Sequence, residues 1–175
     1  MRPENSCVKV GLRPPDDYNG VSFANGVLVA CPYFMPSEKF ADGAWIHPAR
    51  LPLGGGWRGY CTAPGHEGEL PSDEELHHAC NLGYAAKCPR RPVDPSSDSV
   101  RFVVTRNSEQ RVLLGYALEK DHVPCGHGTL EFDAAEDRWT TPHADERIQK
   151  MAECYLSSYM LRRNCAATVE PLEQP

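Results

Sequence analysis

Hydrophobic and polar positions are patterned very unevenly along the chain. In the second half the pattern is regular. Val100-Arg101-Phe102-Val103-Val104-Thr105 reads as a strand, Asn107-Ser108-Glu109-Gln110 as a turn, and Val112 to Leu118 as the returning strand. Gly128 to Asp133 alternates as a third strand. After a turn at Ala134 to Asp137, Arg138-Trp139-Thr140 is placed to pair back onto it. Thr141 with Pro142 predicts a helix start. Ile148, Met151, Ala152, Tyr155 and Tyr159 then recur at helical spacing, with Leu156 and Met160 beside them and Arg162-Arg163 near the C-terminal end.

The first half offers much less. Gly26 to Ala30 reads as a short buried strand ending at Cys31. From Pro32 to Glu69 no period is sustained, because prolines 36, 48, 52 and 64 and the run Gly54-Gly55-Gly56 interrupt each candidate. One helix start is well marked. Ser72 and Glu75 form a capping-box pair, Asp73, Glu74 and Glu75 fill the first turn, and Leu76, Ala79 and Cys80 share a face that Asn81 to Gly83 closes. Pro92 to Ser99 reads as a polar connection.

Composition sharpens this contrast. Of 16 prolines and 14 glycines, 12 and 11 fall in residues 1–95. Leu, Ile, Val and Phe total 33 of 175 residues, a thin aliphatic core that calls for a staple. The expected fold is therefore α+β and a single domain over 1–175. Residues 96–165 would form a small antiparallel sheet of about three strands with a C-terminal helix. Residues 1–95 would form a long loop-rich segment wrapped around a four-cysteine metal site, and residues 166–175 a frayed tail.

No run of 18 apolar residues exists, and Met1 to Cys7 lacks the basic and apolar regions of a signal peptide. A reducing, cytoplasmic setting is the expectation, in which eight cysteines favour metal ligation over four disulfides. The net charge of −6 and the lack of a basic run disfavour nucleic acid.

Cys31, Cys61, Cys80 and Cys88 lie in the Pro/Gly-rich part, separated by 29, 18 and 7 residues. Cys31-Pro32 and Cys88-Pro89 carry the Cys-Pro neighbour common among iron–sulfur ligands. No C-x2-C pair is present, which counts against a zinc ribbon. Widely spaced single cysteines suit a [4Fe–4S] cluster held by a wrapped loop, used for electron transfer with a redox partner protein or as a structural staple. Trp57 and Tyr60 are placed to shield such a cluster, and Arg58, Lys87, Arg90 and Arg91 to offset its charge. A structural zinc site on the same four cysteines, a disulfide set and four unliganded buried thiols are the alternatives.

Of the other cysteines, Cys154 fits the core of the last helix, and Cys7 and Cys165 read as free thiols near the termini. Cys125-Gly126-His127 has the form of half a Rieske motif. The second half is missing, since Ser157 and Thr168 stand three residues after Cys154 and Cys165. Cys125 and His127, with His122, remain a candidate thiol–imidazole pair of a small enzyme, on a loop between strands two and three. His143 joins them if that loop folds over the last helix. His78 is expected near the cysteine site and His77 on the solvated face. His66 reads either as a polar neighbour of Cys61 or as part of a surface loop. Phosphate-loop, dinucleotide, serine-nucleophile, zinc-protease, deaminase and haem-attachment motifs are all absent.

Overall fold

A computed structural model describes residues 29–41, 45, 50–84 and 88–167. Within them the chain is α+β, with two antiparallel sheets, a short helical turn and one long helix. The larger sheet runs in the order β3 (Ser99–Asn107), β4 (Arg111–Lys120), β5 (Val123–Asp133), β6 (Arg138–Thr141). Each strand is joined to the next by a tight turn, as the polar punctuation predicts. The fourth strand is the Arg138-Trp139-Thr140 segment, where Phe132 faces Trp139.

Register explains the alternation. Val100 pairs with Leu118, Phe102 with Tyr116 and Val104 with Leu114, and Leu114 in turn opposes Leu130. Paired residues share a face, so these side chains make one apolar layer. Gly128 opposes Tyr116, and a Cβ there would come within 2.7 Å of the tyrosine ring.

The layer is covered by α2 (Glu146–Ala167), which contacts both sheets. Ile148, Met151, Ala152, Cys154 and Leu156 are buried, and all but Leu156 belong to the main core cluster with Val100, Phe102, Leu114 and Leu130. Tyr155 is partly buried against that core. The start of α2 differs from the sequence expectation. Thr141 ends β6, and Asp145 caps the helix instead, its Oδ1 accepting the Arg147 N–H at 2.9 Å. A carboxylate at this position also opposes the helix dipole. At the other end Arg162 donates to the Gly54 carbonyl at 3.0 Å and Arg163 to Asn107 Oδ1 at 3.0 Å.

The largest departure from the sequence expectation lies between Pro32 and Glu69. This segment contains a two-stranded sheet, β1 (Phe34–Lys39) with β2 (Trp57–Cys61). Pro36 stands opposite Gly59 as the last pair before the register shifts between Pro36 and Glu38. Gly59 is required because a Cβ there would overlap the Met35 carbonyl. Both residues mask a strand pattern in the sequence.

The capping box forms as expected. Ser72 Oγ accepts from Glu75 N–H at 3.3 Å and Glu75 accepts from Ser72 N–H at 2.7 Å. The helix it starts is only α1 (Asp73–Glu75), and it widens into a π turn over Leu76–Cys80. The Asn81 N–H reaches back to the Leu76 carbonyl at 3.3 Å, five residues earlier, which sets that wider pitch. Of the expected Gly26–Ala30 strand, Val29 and Ala30 are described and buried. Ala30 exchanges hydrogen bonds with Val100 at 2.7 and 2.9 Å. Residues 26–28, Cys7, Lys87 and 168–175 lie outside the described residues, as does the Cys165 side chain.

Candidate metal centre

Four separate elements each bring one cysteine to a single cavity lined by Cys31, Cys61, Cys80 and Cys88. Tyr33, Phe34, Ala63 and Ala79 fill the spaces between the thiols, and Arg90, Arg91 and Asp98 complete the wall.

Cys31 directly follows Ala30, which is pinned to β3. Pro32 then opens a turn closed by the Phe34 N–H on the Cys31 carbonyl at 3.1 Å. The nearby backbone N–H groups of Tyr33 and Phe34 favour its thiolate. Cys61 ends β2, and its sulfur accepts the Ala63 N–H at 3.4 Å. Thr62 links the two turns, its N–H and Oγ1 both donating to the Tyr33 carbonyl at 2.8 Å. Thus two of the four sulfurs sit in turns whose backbone N–H groups converge on them, an arrangement that favours a thiolate once it forms.

Cys80 closes the π turn. Asn81 next to it is buried, with 1% of its surface exposed. Asn81 Oδ1 accepts from Trp57 N–H at 2.9 Å, and its Nδ2 donates to the Trp57 and Leu76 carbonyls, both at 3.0 Å. One side chain therefore completes the β2 backbone and the helical turn together, and holds Cys80 beside the strand that carries Cys61. Gly83 closes the same turn, donating to the Val29 carbonyl at 2.7 Å. A Cβ at Gly83 would sit 2.8 Å from Val29 Cγ2. Cys88 and Pro89 open a second turn, closed by Arg91 N–H on the Cys88 carbonyl at 3.2 Å. Both Cys-Pro pairs thus place proline at the second position of a tight turn.

Burial pushes the Cys31 thiol up to about 12, only partly offset by the Tyr33 N–H, with Cys88 and Cys61 adding to the rise. Cys80 is pushed up by burial and then by Cys31, Cys88 and Cys61. Cys61 rises through burial, eased by the Ala63 N–H. These three thiols hold their protons at neutral pH, the reverse of a reactive nucleophile, whose thiolate is favoured.

Among the described residues no three His, Cys, Asp or Glu side chains form a group that could hold a metal ion as they stand. Four sulfurs on one tetrahedral zinc would lie about 3.8 Å apart, from a Zn–S distance of about 2.3 Å. The four thiols line one cavity.

Other candidates fall away from the cavity. Trp57 and Tyr60 do not line it, Trp57 being buried in the core cluster and Tyr60 exposed. Arg58 lies over the Phe40 ring at 4.6 Å. His78 is exposed and does not line the cavity, and His77 is half-buried, stacked on Trp45 at 4.4 Å. His66 pairs with Glu69 at 3.1 Å on the surface loop.

Cys125 and His127 lie within β5, two residues apart on an exposed face, not on a loop. Cys125 Sγ donates to the Ser96 carbonyl at 3.8 Å, and no hydrogen bond joins it to His127 among the described residues. His122 sits in the β4–β5 turn against Tyr84, and His143 edges onto Tyr116. Cys154 is buried on α2, as expected for a core thiol.

No family model, curated protein or solved structure matches the chain. Asn81 and Asp98 are the residues that sequence reasoning missed. An asparagine after a helical turn reads as a simple stop, and nothing local indicates that it bonds to a strand 24 residues earlier.

Proposed function

We propose that the chain is an iron–sulfur protein that holds a [4Fe–4S] cluster on Cys31, Cys61, Cys80 and Cys88. The observation that carries this reading is the convergence of four sequence-distant thiols on one cavity. The inward N–H groups at Cys31 and Cys61 support it, because hydrogen bonds to sulfur stabilise cluster ligands. The sequence holds no C-x2-C pair, and its widely spaced single cysteines favour a cluster over a single zinc ion.

With four cysteine ligands no iron is left open to substrate, so the cluster would serve as a staple or pass single electrons to a redox partner protein. A cytoplasmic location fits labile thiols. Among the described residues no helix is long and apolar enough to cross a membrane.

Anaerobic purification followed by iron, sulfide and zinc analysis tests the reading. The expected result is about four irons and four sulfides per chain with broad absorption near roughly 400 nm. Stoichiometric zinc without iron would replace the cluster by a structural zinc site. A metal-free chain would overturn both.

A further inference from the structure

Cys88 differs from the other three cysteines in how it is held. Cys31 adjoins the Ala30–Val100 bridge, Cys61 belongs to β2, and Cys80 is tied by Asn81. The Cys88 turn belongs to no strand or helix, and the two arginines that follow it make its side-chain ties to the rest of the fold.

Arg90 reaches three points at once. Its Nε donates to Glu69 at 3.0 Å, its Nη1 lies 2.9 Å from Glu75, and its Nη2 donates to the Leu70 carbonyl at 3.4 Å. Those partners belong to the other cysteine elements. The Glu69 carbonyl accepts the Cys61 N–H at 2.8 Å. Glu75 is the capping-box residue of the turn that carries Cys80. Arg91 takes the remaining direction, 3.4 Å from the buried carboxylate of Asp98, one residue before β3 and two before Val100, where Ala30 is bridged.

We propose that Arg90 and Arg91 are positioning residues that latch the Cys88 arm onto the other three ligand elements, so that Cys88 is the last ligand to engage and the first to be released. The proposal rests on the metal-centre reading. It adds that the fourth ligand is delivered by charge and that retention of the centre depends on ionic strength. A planar guanidinium suits the task because its donors point in fixed, divergent directions, whereas a lysine offers a single charge. Salt acts on this arm because Glu69 is half-exposed, with 49% of its side chain open to solvent.

The test uses the full-length, anaerobically purified holoprotein. A ferrous-iron chelator is added at low and high sodium chloride, and bleaching of the visible band is followed. Arg90→Gln should bleach about 10–100-fold faster than wild type, the usual effect of losing a supporting contact around a metal ligand. Glu75→Gln should shift the rate the same way but less. The neutral amide oxygen still accepts from Ser72 N–H, so the capping box survives while the ion pair is lost. Wild-type bleaching should accelerate with salt, and Arg90→Gln should lose that dependence. Wild-type rates in both variants, or a salt dependence that survives Arg90→Gln, would overturn the latch alone. A wild-type protein with no metal would overturn the latch and the metal-centre reading together.

Discussion

The two halves of the described chain reach order by different means. Residues 98–167 form a meander of four sequential strands under one helix, with Val100, Phe102, Leu114, Leu130, Ile148 and Met151 in a shared core. Residues 29–91 add Phe34, Leu53, Trp57 and Leu76 to the same core, but their elements are short and joined by proline and glycine turns. The first region is held by area removed from water, which is non-directional and tolerant of small changes. The second adds to its share of that core a few directional contacts, each joining segments distant in sequence, around a cavity that places thiols together.

Removing the proposed cluster is the most severe way to break this contrast. Chelation, or Cys88→Ser, should abolish metal binding. Amide exchange should rise sharply across 29–91 while β3–β6 stay protected. Uniform exchange in both halves would show that they do not differ in this way. Leu114→Ala probes the other side and should cost about 2–5 kcal/mol in denaturant unfolding, the range for a fully buried leucine. It should leave the metal-to-protein ratio unchanged. Asn81→Ala removes the side-chain partner of the Trp57 N–H and carbonyl and leaves the Leu76 carbonyl only the backbone N–H of residue 81. It should cost about 2–4 kcal/mol and lower metal content as well. A stability loss with full metal retention would separate the fold of the Cys80 turn from the centre.

Smaller effects sharpen the picture. Asp145→Ala should lower stability by about 1 kcal/mol through loss of the α2 cap, read as a lower melting temperature with no change in metal content. The same residue sets a pH dependence. The Arg147 guanidinium bonded to Asp145 holds its carboxyl below the ordinary aspartate value. A folded pKa below the unfolded one adds stability that is fully present above the unfolded value and lost as pH falls through the folded one. Melting temperature should therefore drop below about pH 4, and drop less in Asp145→Asn. An equal drop in both would assign the acid sensitivity to other carboxylates.

Legibility in the sequence follows the same division. The β3–β6 strands show because each alternates over enough residues to reveal its period. The capping box of Ser72 and Glu75 shows because it is local. The β1–β2 pair does not show. Trp57 to Cys61 does alternate buried and exposed, but over five residues with a glycine at its centre. Pro36 marks β1 as a break unless the register shift is known. Thr141-Pro142 misleads about α2 because a usable local cap precedes a better one at Asp145. The four cysteines could be chosen from their turn-like settings and their proline neighbours. The arginines beside Cys88 could be noted only as charge.

Sequence by itself determined the class of fold, the place of the long helix and the four cysteines as a set. Those features rest on periodicity, composition and local turn chemistry, which are written within a few residues. Tertiary structure decided that the four thiols line one cavity, that Asn81 joins a helical turn to β2, and that Arg90 spans Glu69 and Glu75. It also separated Cys125 and His127 from any shared hydrogen bond. Each of these depends on which distant segments come to lie side by side, and closing long loops leaves no local imprint on the residues that are brought together.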